Sequence, residues 1–465
     1  MGKSGIHPLT HRRPRVPEDE LSGLISVALY TIHHFFGSFS GLFDAVSDPR
    51  KQEKITYPLS SLAFVAIMMF LCQLGARRQI GLLLRNSPCQ KTLQSLFGVP
   101  ACPHGDTLHD AFSRLEPNEV QEVVSSATEI LIRKKVLYPS RLLSRYYVVA
   151  IDGTGILTFA RRHCSYCLTQ TYNGKTIYYH SVLEAKIVTP NGFAFSLMTE
   201  FIENRDKKAT KQDCELVAFY RLAQRLKKRF PCLPMLLTLD GLFANGPVFQ
   251  ICQEYGWKFM IVLKEDRLSS VNEELEGLSK LEQGNRLSDA DEAKGTRQDL
   301  RWVNDVSYLD SRRVEHRLSV IECLETKQDR STGKQEAKRF KWVTNCQLKQ
   351  DNVCELANNG GRIRWKVENE GFNTQKNGGY GLEHAYTHNP TSTKVFYLLL
   401  QLAHIMQQLI QKGSLLKQFF PHGFGSAKNL AFRLLEAWRN APLSRTAIDT
   451  ILQWRVQIRF SADTS

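Results

Sequence analysis

The chain has 465 residues, of which 42% are hydrophobic and 23% charged, and 61 Lys and Arg against 46 Asp and Glu give a net charge of +15. These values exclude a wholly disordered chain and predict about two to four globular domains. The positive charge favours a polyanionic partner such as nucleic acid over an ordinary basic enzyme, because each neutralised phosphate releases counterions.

The 11 cysteines are spread along the chain, and the first twenty residues are polar and basic. Scattered cysteines without a secretory signal are typical of a reducing compartment, so we expect free thiols and a cytoplasmic protein. The uncharged stretch from Ile55 to Ala76 falls short of the roughly 20 predominantly apolar residues of a membrane span, because it is diluted by Pro58, Ser60, Ser61 and Gln73. We therefore predict a buried helix there and no membrane association.

Residues 1–140 are predicted to form a helical domain. Pro58 stands near the start of the apolar helix, and Gly75 marks its end. Further helices are predicted around Gln79–Arg85 and Gln121–Lys135. A helical domain of this kind suits DNA binding or assembly, and the sequence leaves both roles open.

From Tyr146 onward the pattern changes to buried strands separated by helices. Tyr146–Ile151 is a short apolar run rich in β-branched and aromatic residues, which predicts a strand buried on both faces and ending at Asp152. The same reasoning gives strands at Ile177–Thr189, Phe193–Ile202, Met235–Leu239 and Phe259–Leu263, and helices at Asp213–Arg229 and Pro247–Tyr255. This alternation predicts an α/β fold with a mixed sheet.

The predicted domain boundaries follow from changes in this pattern. The α/β core has a first part at 141–264 and a second part at 349–412. Between them, a β-rich insertion at 265–348 is predicted to contain strands near Leu300–Tyr308, Val314–Leu324 and Arg339–Thr344. A helical region at 413–465 follows the core.

Two of the predicted strands are each followed by an aspartate and a glycine, Asp152-Gly153 and Asp240-Gly241. Taken singly, an Asp-Gly pair is a turn signal. Two pairs at equivalent strand ends are more specific, because ligands bind outside the carboxyl ends of strands in open α/β sheets. A divalent cation would neutralise both carboxylates, and each glycine would let a substrate or metal approach the backbone.

A third carboxylate is predicted at Glu368, in a segment expected to be helical over Arg362–Glu370. Arg364 and Glu368 are four residues apart and share a helix face. Glu370 lies two residues further on and points another way. Considered alone, the segment is as well explained by a solvated helix with an Arg–Glu surface pair.

Together these segments resemble a known family, the DDE transposases of bacterial insertion sequences, in the IS-four-like group. The three acidic motifs of that family are similar to Ala150–Thr154, Leu239–Ala244 and Arg364–Asn373. The N-terminal region of related proteins is similar to Ser47–Lys51, Tyr57–Leu59 and Asp106–His109. The resemblance extends over most of the chain, from Phe43 to Ile405, and implies a ribonuclease H-like catalytic core with a β-strand insertion.

The resemblance also implies a function and a set of site residues. It implies cleavage at transposon ends and strand transfer into target DNA, with Asp152, Asp240 and Glu368 holding two Mg²⁺ (or Mn²⁺) ions about 3.5–4 Å apart. Arg364 and Lys376 are implied as ligands of phosphates on double-stranded DNA. It further implies a homodimer in the DNA complex and a nucleoid-associated protein of a bacterial cytoplasm.

The family pattern around its glutamate is tyrosine, two residues, arginine, three residues, glutamate, six residues and lysine. This chain departs from that pattern twice. Gly361 stands at the tyrosine position, and Gln375 stands at the lysine position with Lys376 one residue later. Trp365, beside the arginine, is expected to be a packing residue rather than one on which a base stacks.

A lone Cys-x₂-Cys pair is formed by Cys164 and Cys167, which together with His180 and Cys214 could bind zinc. Because a single pair is a weak zinc signal, ordinary thiols are the preferred interpretation.

Two other functions are compatible with these residues. One is a Mg-dependent nuclease of the same fold, which cuts DNA but does not join it. The other is a catalytically inactive DNA-binding relic, although the presence of all three acids gives no reason to expect inactivation.

Overall fold

The computed structural model describes residues 19–204, 211–291, 295–328 and 334–460. Of these residues, those up to Lys134 and those from Thr374 form one compact unit, and Lys135–Asn373 form the other. The first unit is helical, and the second contains the sheet.

The helices of the described residues are α1 (Glu20–Phe36), α2 (Leu59–Leu71), α3 (Ser87–Phe97), α4 (Gly105–Phe112), α5 (Pro117–Arg133), α6 (Glu215–Arg229), α7 (Gly246–Tyr255), α8 (Ser269–Leu281), α9 (Val353–Glu355), α10 (Thr374–Asn377), α11 (Pro390–Lys412), α12 (Ser414–Phe419), α13 (Ala427–Asn440) and α14 (Arg445–Leu452). The strands are β1 (Tyr147–Phe159), β2 (Leu168–Tyr172), β3 (Lys175–Val188), β4 (Ala194–Ile202), β5 (Met235–Leu239), β6 (Lys258–Val262), β7 (Arg286–Asp291), β8 (Thr296–Leu309), β9 (Glu315–Gln328) and β10 (Gln335–Thr344).

The predicted buried helix in the N-terminal region is confirmed as α2. All of its residues except Ser60 are buried, and it packs against α11. Among the described residues, no helix has both the length and the apolar character needed to cross a bilayer. The helix predicted around Gln79–Arg85 is instead a single π-helical turn, Ile80–Leu84.

The second unit is built on one mixed sheet with the strand order β2-β3-β1-β5-β6-β10-β9-β8-β7, and β4 pairs with β3 beside this path. Strands β1, β5 and β6 run parallel to one another. Strand β3 pairs antiparallel with β1, and β4 pairs antiparallel with β3. The predicted α/β fold with a mixed sheet is confirmed.

The β-rich insertion extends the same sheet, because β10 pairs with β6 of the core through Thr344↔Met260 and its neighbours. Its three predicted strands correspond to β8, β9 and β10. The sequence analysis missed β7 and α8. Strand β7 is exposed at nearly every position, so it lacks the alternation of apolar and polar residues by which a strand is recognised.

The predicted end of the first core strand at Asp152 is wrong. Strand β1 continues to Phe159, and residues beyond Asp152 pair with β3 from Gly153↔Leu183 to Phe159↔Tyr178. The glycines in Gly153-Thr154-Gly155 suggested a turn, but cross-strand pairing keeps this segment extended. Asp152 therefore lies within a strand and not at its end.

The segment expected to be one helix over Arg362–Glu370 has mixed geometry. Arg362–Arg364 form a 3₁₀ turn, and Val367–Asn373 form a π-helical stretch. Such π-helical stretches are rare and occur frequently at functional sites.

Candidate active site

The parallel register of β1 and β5 places two aspartates at the same level of the sheet. The strands pair from Tyr147↔Met235 to Ala150↔Thr238. Carried two residues further, past the end of β5 at Leu239, this register sets Asp152 level with Asp240. Asp240 also accepts a hydrogen bond at 2.9 Å from the backbone N–H of Leu242, which holds its carboxylate at the start of a 3₁₀ turn.

The charge of Glu368 also acts on Asp152. Burial raises the pKa of Asp152, the Arg364 guanidinium opposes this rise, and the negative charges of Asp240 and Glu368 add to it. All three predicted acids therefore lie close enough for their charges to interact. Carboxylate oxygens are the ligands that Mg²⁺ prefers, so this donor set fits the expected metal.

The three acids are close but not in mutual contact. Within the described residues, their oxygens do not form a set that all lie within 4.8 Å of one another. Asp152 is instead paired with Arg364, whose Nη1 donates to Asp152 Oδ2 at 2.8 Å. The guanidinium thus acts as the counter-ion of this partly buried carboxylate.

A fourth carboxylate, which the sequence analysis missed, lies at the same place. Glu215 is the first residue of α6. Burial raises its pKa, and the charges of Asp152 and Asp240 raise it further. An acid in the first turn of a helix is common, so nothing local in the sequence singles out Glu215.

The glycines of the two Asp-Gly pairs make room for other side chains of the protein. A Cβ on Gly153 would overlap the carboxylate of Glu215, and a Cβ on Gly241 would lie 3.1 Å from the aliphatic carbons of Lys264. The sequence analysis expected a substrate or metal to approach these glycines. The structure instead places the Glu215 side chain over Gly153 and the Lys264 side chain over Gly241.

Arg364 is almost fully buried, and its Nε has no hydrogen-bond partner among the described residues. Its guanidinium lies 4.8 Å from the centre of the Trp365 ring. Trp365 itself is 57% exposed, so its predicted role as a packing residue is wrong. Arg364 is held inside the fold by Asp152, whereas the neighbouring indole faces solvent.

Glu370, the other glutamate of this segment, forms an ion pair with Lys366. Lys366 Nζ lies 3.1 Å from Glu370 Oε1, one helical turn earlier. The charge of Glu368 is among those that raise the pKa of Asp152.

A cavity of about 700 Å³ opens beside Asp240. Five basic residues, three acidic residues and three aromatic residues contribute to its lining. These residues are Lys264, Arg339, Lys341, Arg362, Arg364, Asp240, Glu265, Asp266, Phe340, Trp342 and Trp365. A basic cleft with aromatic walls next to a carboxylate cluster suits a nucleic-acid strand, because bases stack on aromatic rings and phosphates attract cations.

A family model matches part of the chain. The family described as DDE_Tnp_1-associated matches residues 41–126. This match indicates a transposase-related protein. None of the curated proteins matches the chain. The matched residues belong to the helical unit, and they include the Ser47–Lys51, Tyr57–Leu59 and Asp106–His109 segments on which part of the resemblance rests.

The absence of the family's tyrosine at Gly361 has a structural explanation. A Cβ on Gly361 would lie 2.5 Å from Trp342 Cε2, so the indole already fills the space that a side chain at this position would enter. Trp342 stacks on Phe340 with ring centres 5.8 Å apart, and the Arg362 guanidinium lies over Phe340. Strand β10 therefore supplies the aromatic surface at this side of the cavity.

Lys376, the predicted phosphate ligand, does not belong to the sheet unit that contains the three acids. Lys376 lies in α10 of the helical unit, where its Nζ is 3.1 Å from Glu383 Oε1. Gln375, which stands at the family's lysine position, is fully buried and hydrogen-bonded to Gln401 and His404. In this chain that position is part of a buried polar network.

Proposed function

We propose that this protein is a DDE transposase that cuts DNA at the ends of a mobile element and joins those ends to target DNA. One observation carries the proposal. The register of β1 and β5 sets Asp152 level with Asp240, and Glu368 lies near enough for its charge to raise the pKa of Asp152. The matched transposase-associated region supports the same conclusion.

We further propose that the sheet unit is a ribonuclease H-like core. An antiparallel meander of β1, β3 and β4 is followed by α6, then by β5 parallel to β1, then by α7 and β6. This order of elements is consistent with that fold, and β7–β10 form the insertion between Asp240 and Glu368.

Asp152, Asp240 and Glu368 would hold two Mg²⁺ or Mn²⁺ ions, with Glu215 as a fourth carboxylate beside them. When bound, such ions lower the pKa of an attacking water and stabilise the charge on the leaving oxygen. Burial first, and the negative charge of neighbouring carboxylates as well, raises the pKa values of Asp152 and Glu215. Divalent cations would neutralise that charge.

The reaction consists of two in-line displacements at phosphorus. In the first, a water oxygen bonds to phosphorus, the bond from phosphorus to the 3′-oxygen breaks, and that oxygen leaves as a hydroxyl. In the second, the oxygen of the freed 3′-hydroxyl bonds to a phosphorus of the target strand, and the bond from that phosphorus to the target's 3′-oxygen breaks. The target's 3′-oxygen leaves as a hydroxyl and takes up the proton that the attacking hydroxyl loses. We infer that Arg364 binds a phosphate oxygen, because it lines the cavity beside Asp240.

The partner would be double-stranded DNA, with one strand entering the basic cavity beside Asp240. Lys376 would bind DNA only if its pairing with Glu383 is exchanged for a phosphate. Joining of two element ends would require at least two copies of the chain, which we infer from the expected family alone.

The test uses pre-cut element ends and a target plasmid, with end sequences taken from inverted repeats flanking the gene. Asp152→Asn, Asp240→Asn and Glu368→Gln should each abolish Mg-dependent cleavage and joining while leaving DNA binding largely intact. Glu370→Gln is the matched control and should retain activity, because Glu370 is paired with Lys366.

The competing functions give different results in the same assay. Cleaved but never joined products would identify a nuclease of this fold. Binding to the end repeats without any Mg-dependent cleavage would identify an inactive relic. Loss of activity in Glu370→Gln with normal activity in Glu368→Gln would show that the wrong glutamate has been chosen.

A further inference from the structure

A second cluster of ligand-type side chains lies at the other end of β1. His163, Cys164 and Cys167 belong to the connection between β1 and β2, and His180 lies on β3. One ligand atom from each of the four lies within 4.8 Å of all the others. Among the described residues, this is the one set of three or more His, Cys, Asp or Glu side chains that meets this condition.

The distances within the cluster match those of a tetrahedral metal site. Cys164 Sγ lies 3.4 Å from Cys167 Sγ and 3.4 Å from His180 Nε2, and Cys167 Sγ lies 3.4 Å from His163 Nδ1 and 3.5 Å from His180 Nε2. Four ligands around zinc, at Zn–S of about 2.3 Å and Zn–N of about 2.0–2.1 Å, are separated by roughly 3.3–3.8 Å. The donor atoms are therefore already spaced for one ion.

We propose that these residues bind one zinc ion in a closed structural site. Two thiolates and two imidazoles are the donors that zinc prefers, and four protein ligands leave no open position for a substrate. Cys167 is fully buried and His180 is 8% exposed, whereas His163 and Cys164 are half-buried. This inference does not depend on the proposed transposase function.

The ligand set differs from the sequence-based expectation by one residue. The sequence analysis preferred ordinary thiols and named Cys214 only as a candidate fourth ligand, but Cys214 is exposed at the N-terminus of α6. His163 takes the fourth position instead. The pairing of β1 with β3 brings His180, which the sequence analysis had already named, to this loop.

The zinc loop is connected to the start of α6 through hydrogen bonds. Asn204 donates to the backbone oxygen of Cys167 at 2.9 Å, and it accepts from the backbone N–H of Asp213 at 3.1 Å. Asp213 stands two residues before Glu215, which lies over Gly153. Zinc binding would therefore fix the position from which Glu215 enters the acidic cluster.

The first measurement is the metal content of the full-length protein, purified without chelators from cells grown with zinc. We expect about one zinc per chain. Cys164→Ser and Cys167→Ser should each reduce the bound zinc several-fold or more, whereas Cys214→Ser and Cys232→Ser, at two exposed cysteines, should retain it. Cobalt substituted for zinc should give thiolate-to-cobalt absorption that is lost in Cys164→Ser and unchanged in Cys214→Ser.

A conservative variant keeps the test decisive if a cysteine variant fails to fold. His163→Cys replaces one zinc ligand by another and should retain the ion, whereas His163→Ala should lose it. The proposal is overturned if the wild-type protein contains no zinc and takes up none when zinc is added. A Cys164–Cys167 disulfide in the purified protein, or loss of zinc from Cys214→Ser with retention in Cys164→Ser, would overturn it equally.

Discussion

The carboxylate of Glu215 occupies the space above Gly153 that any larger residue would need. A Cβ on Gly153 would overlap that carboxylate and would lie 3.1 Å from Glu215 Cγ. Gly153 directly follows Asp152 in β1, so this contact brings the N-terminus of α6 against the strand that carries the first acid. The glycine is thus required by a long-range contact rather than by a turn.

Gly153→Ala should therefore reduce cleavage strongly while leaving DNA affinity close to that of the wild type. Displacing a site carboxylate by about 1 Å is expected to lower the rate on the order of 10²-fold. The matched control is Gly155→Ala in the same strand, because a Cβ on Gly155 would meet no atom within 4 Å. Equal activity of both variants in a Mg-dependent cleavage assay would show that the position of Glu215 is unimportant.

Glu215→Gln should raise the thermal stability of the protein in magnesium-free buffer at neutral pH. Burial and the charges of Asp152 and Asp240 raise the pKa of Glu215 above its ordinary value of 4.5. A carboxyl group whose pKa is higher in the folded state loses stabilising free energy as the pH rises through the interval between the two pKa values. The neutral glutamine removes that loss, so the stability difference should be largest at neutral pH and should shrink in acid.

Added Mg²⁺ should reverse the order of the two melting temperatures. The folded wild type has one more carboxylate to bind the ion than Glu215→Gln, so the ion stabilises the wild type more. Thermal denaturation at several pH values, with and without Mg²⁺, provides the measurement. Glu273→Gln, at an exposed glutamate on α8, serves as the control and should leave the melting temperature unchanged. A lower melting temperature for Glu215→Gln than for the wild type at neutral pH without Mg²⁺ would contradict this account.

Trp365→Ala should weaken binding to DNA with single-stranded or frayed ends. The indole is 57% exposed and lines the basic cavity beside Asp240, and stacking of one base on an aromatic side chain contributes about 1–3 kcal/mol. We expect a fall in affinity of roughly fivefold or more in a fluorescence anisotropy titration. Tyr172→Ala removes a ring that is 72% exposed and does not line the cavity, and an equal fall in that variant would remove the support for stacking at Trp365.

A buried ion pair lies beneath the segment that carries Glu368, and its removal should destabilise the protein. Lys186 and Glu184 are both fully buried with Nζ and Oε1 3.5 Å apart, and the Lys186 side chain packs against Gly371. Burial lowers the pKa of Lys186, and the charge of Glu184 opposes this. Lys186→Met leaves the Glu184 charge buried without its cation, which is expected to cost about 3–5 kcal/mol.

The double variant Glu184→Gln with Lys186→Met should recover much of this loss of stability, because it removes both charges of the pair. Chemical denaturation of both variants and the wild type measures the difference in free energy of unfolding. If Lys186→Met were as stable as the wild type, the pair would have no structural role beneath the Glu368 segment.

Local patterns in the sequence determined the elements that carry the first two acids. Apolar runs predicted the strand at Met235–Leu239 and the buried helix α2, because hydrophobic periodicity over a few residues already specifies burial. The acids Asp152 and Asp240 were recognised by their position after such runs. Glu368 was chosen over Glu370 by its spacing from Arg364 and by resemblance.

Contacts between residues distant in the chain decided the rest. Pairing with β3 carries β1 past Asp152, the packing of α6 brings Glu215 over Gly153, and the same strand pairing joins His180 to the cysteine loop. Exposure of Trp365 likewise depends on which neighbours surround it in the folded chain. Sequence specifies the local conformation and burial of each element, but strand register and helix packing set which side chains meet, and these arise only from the tertiary fold.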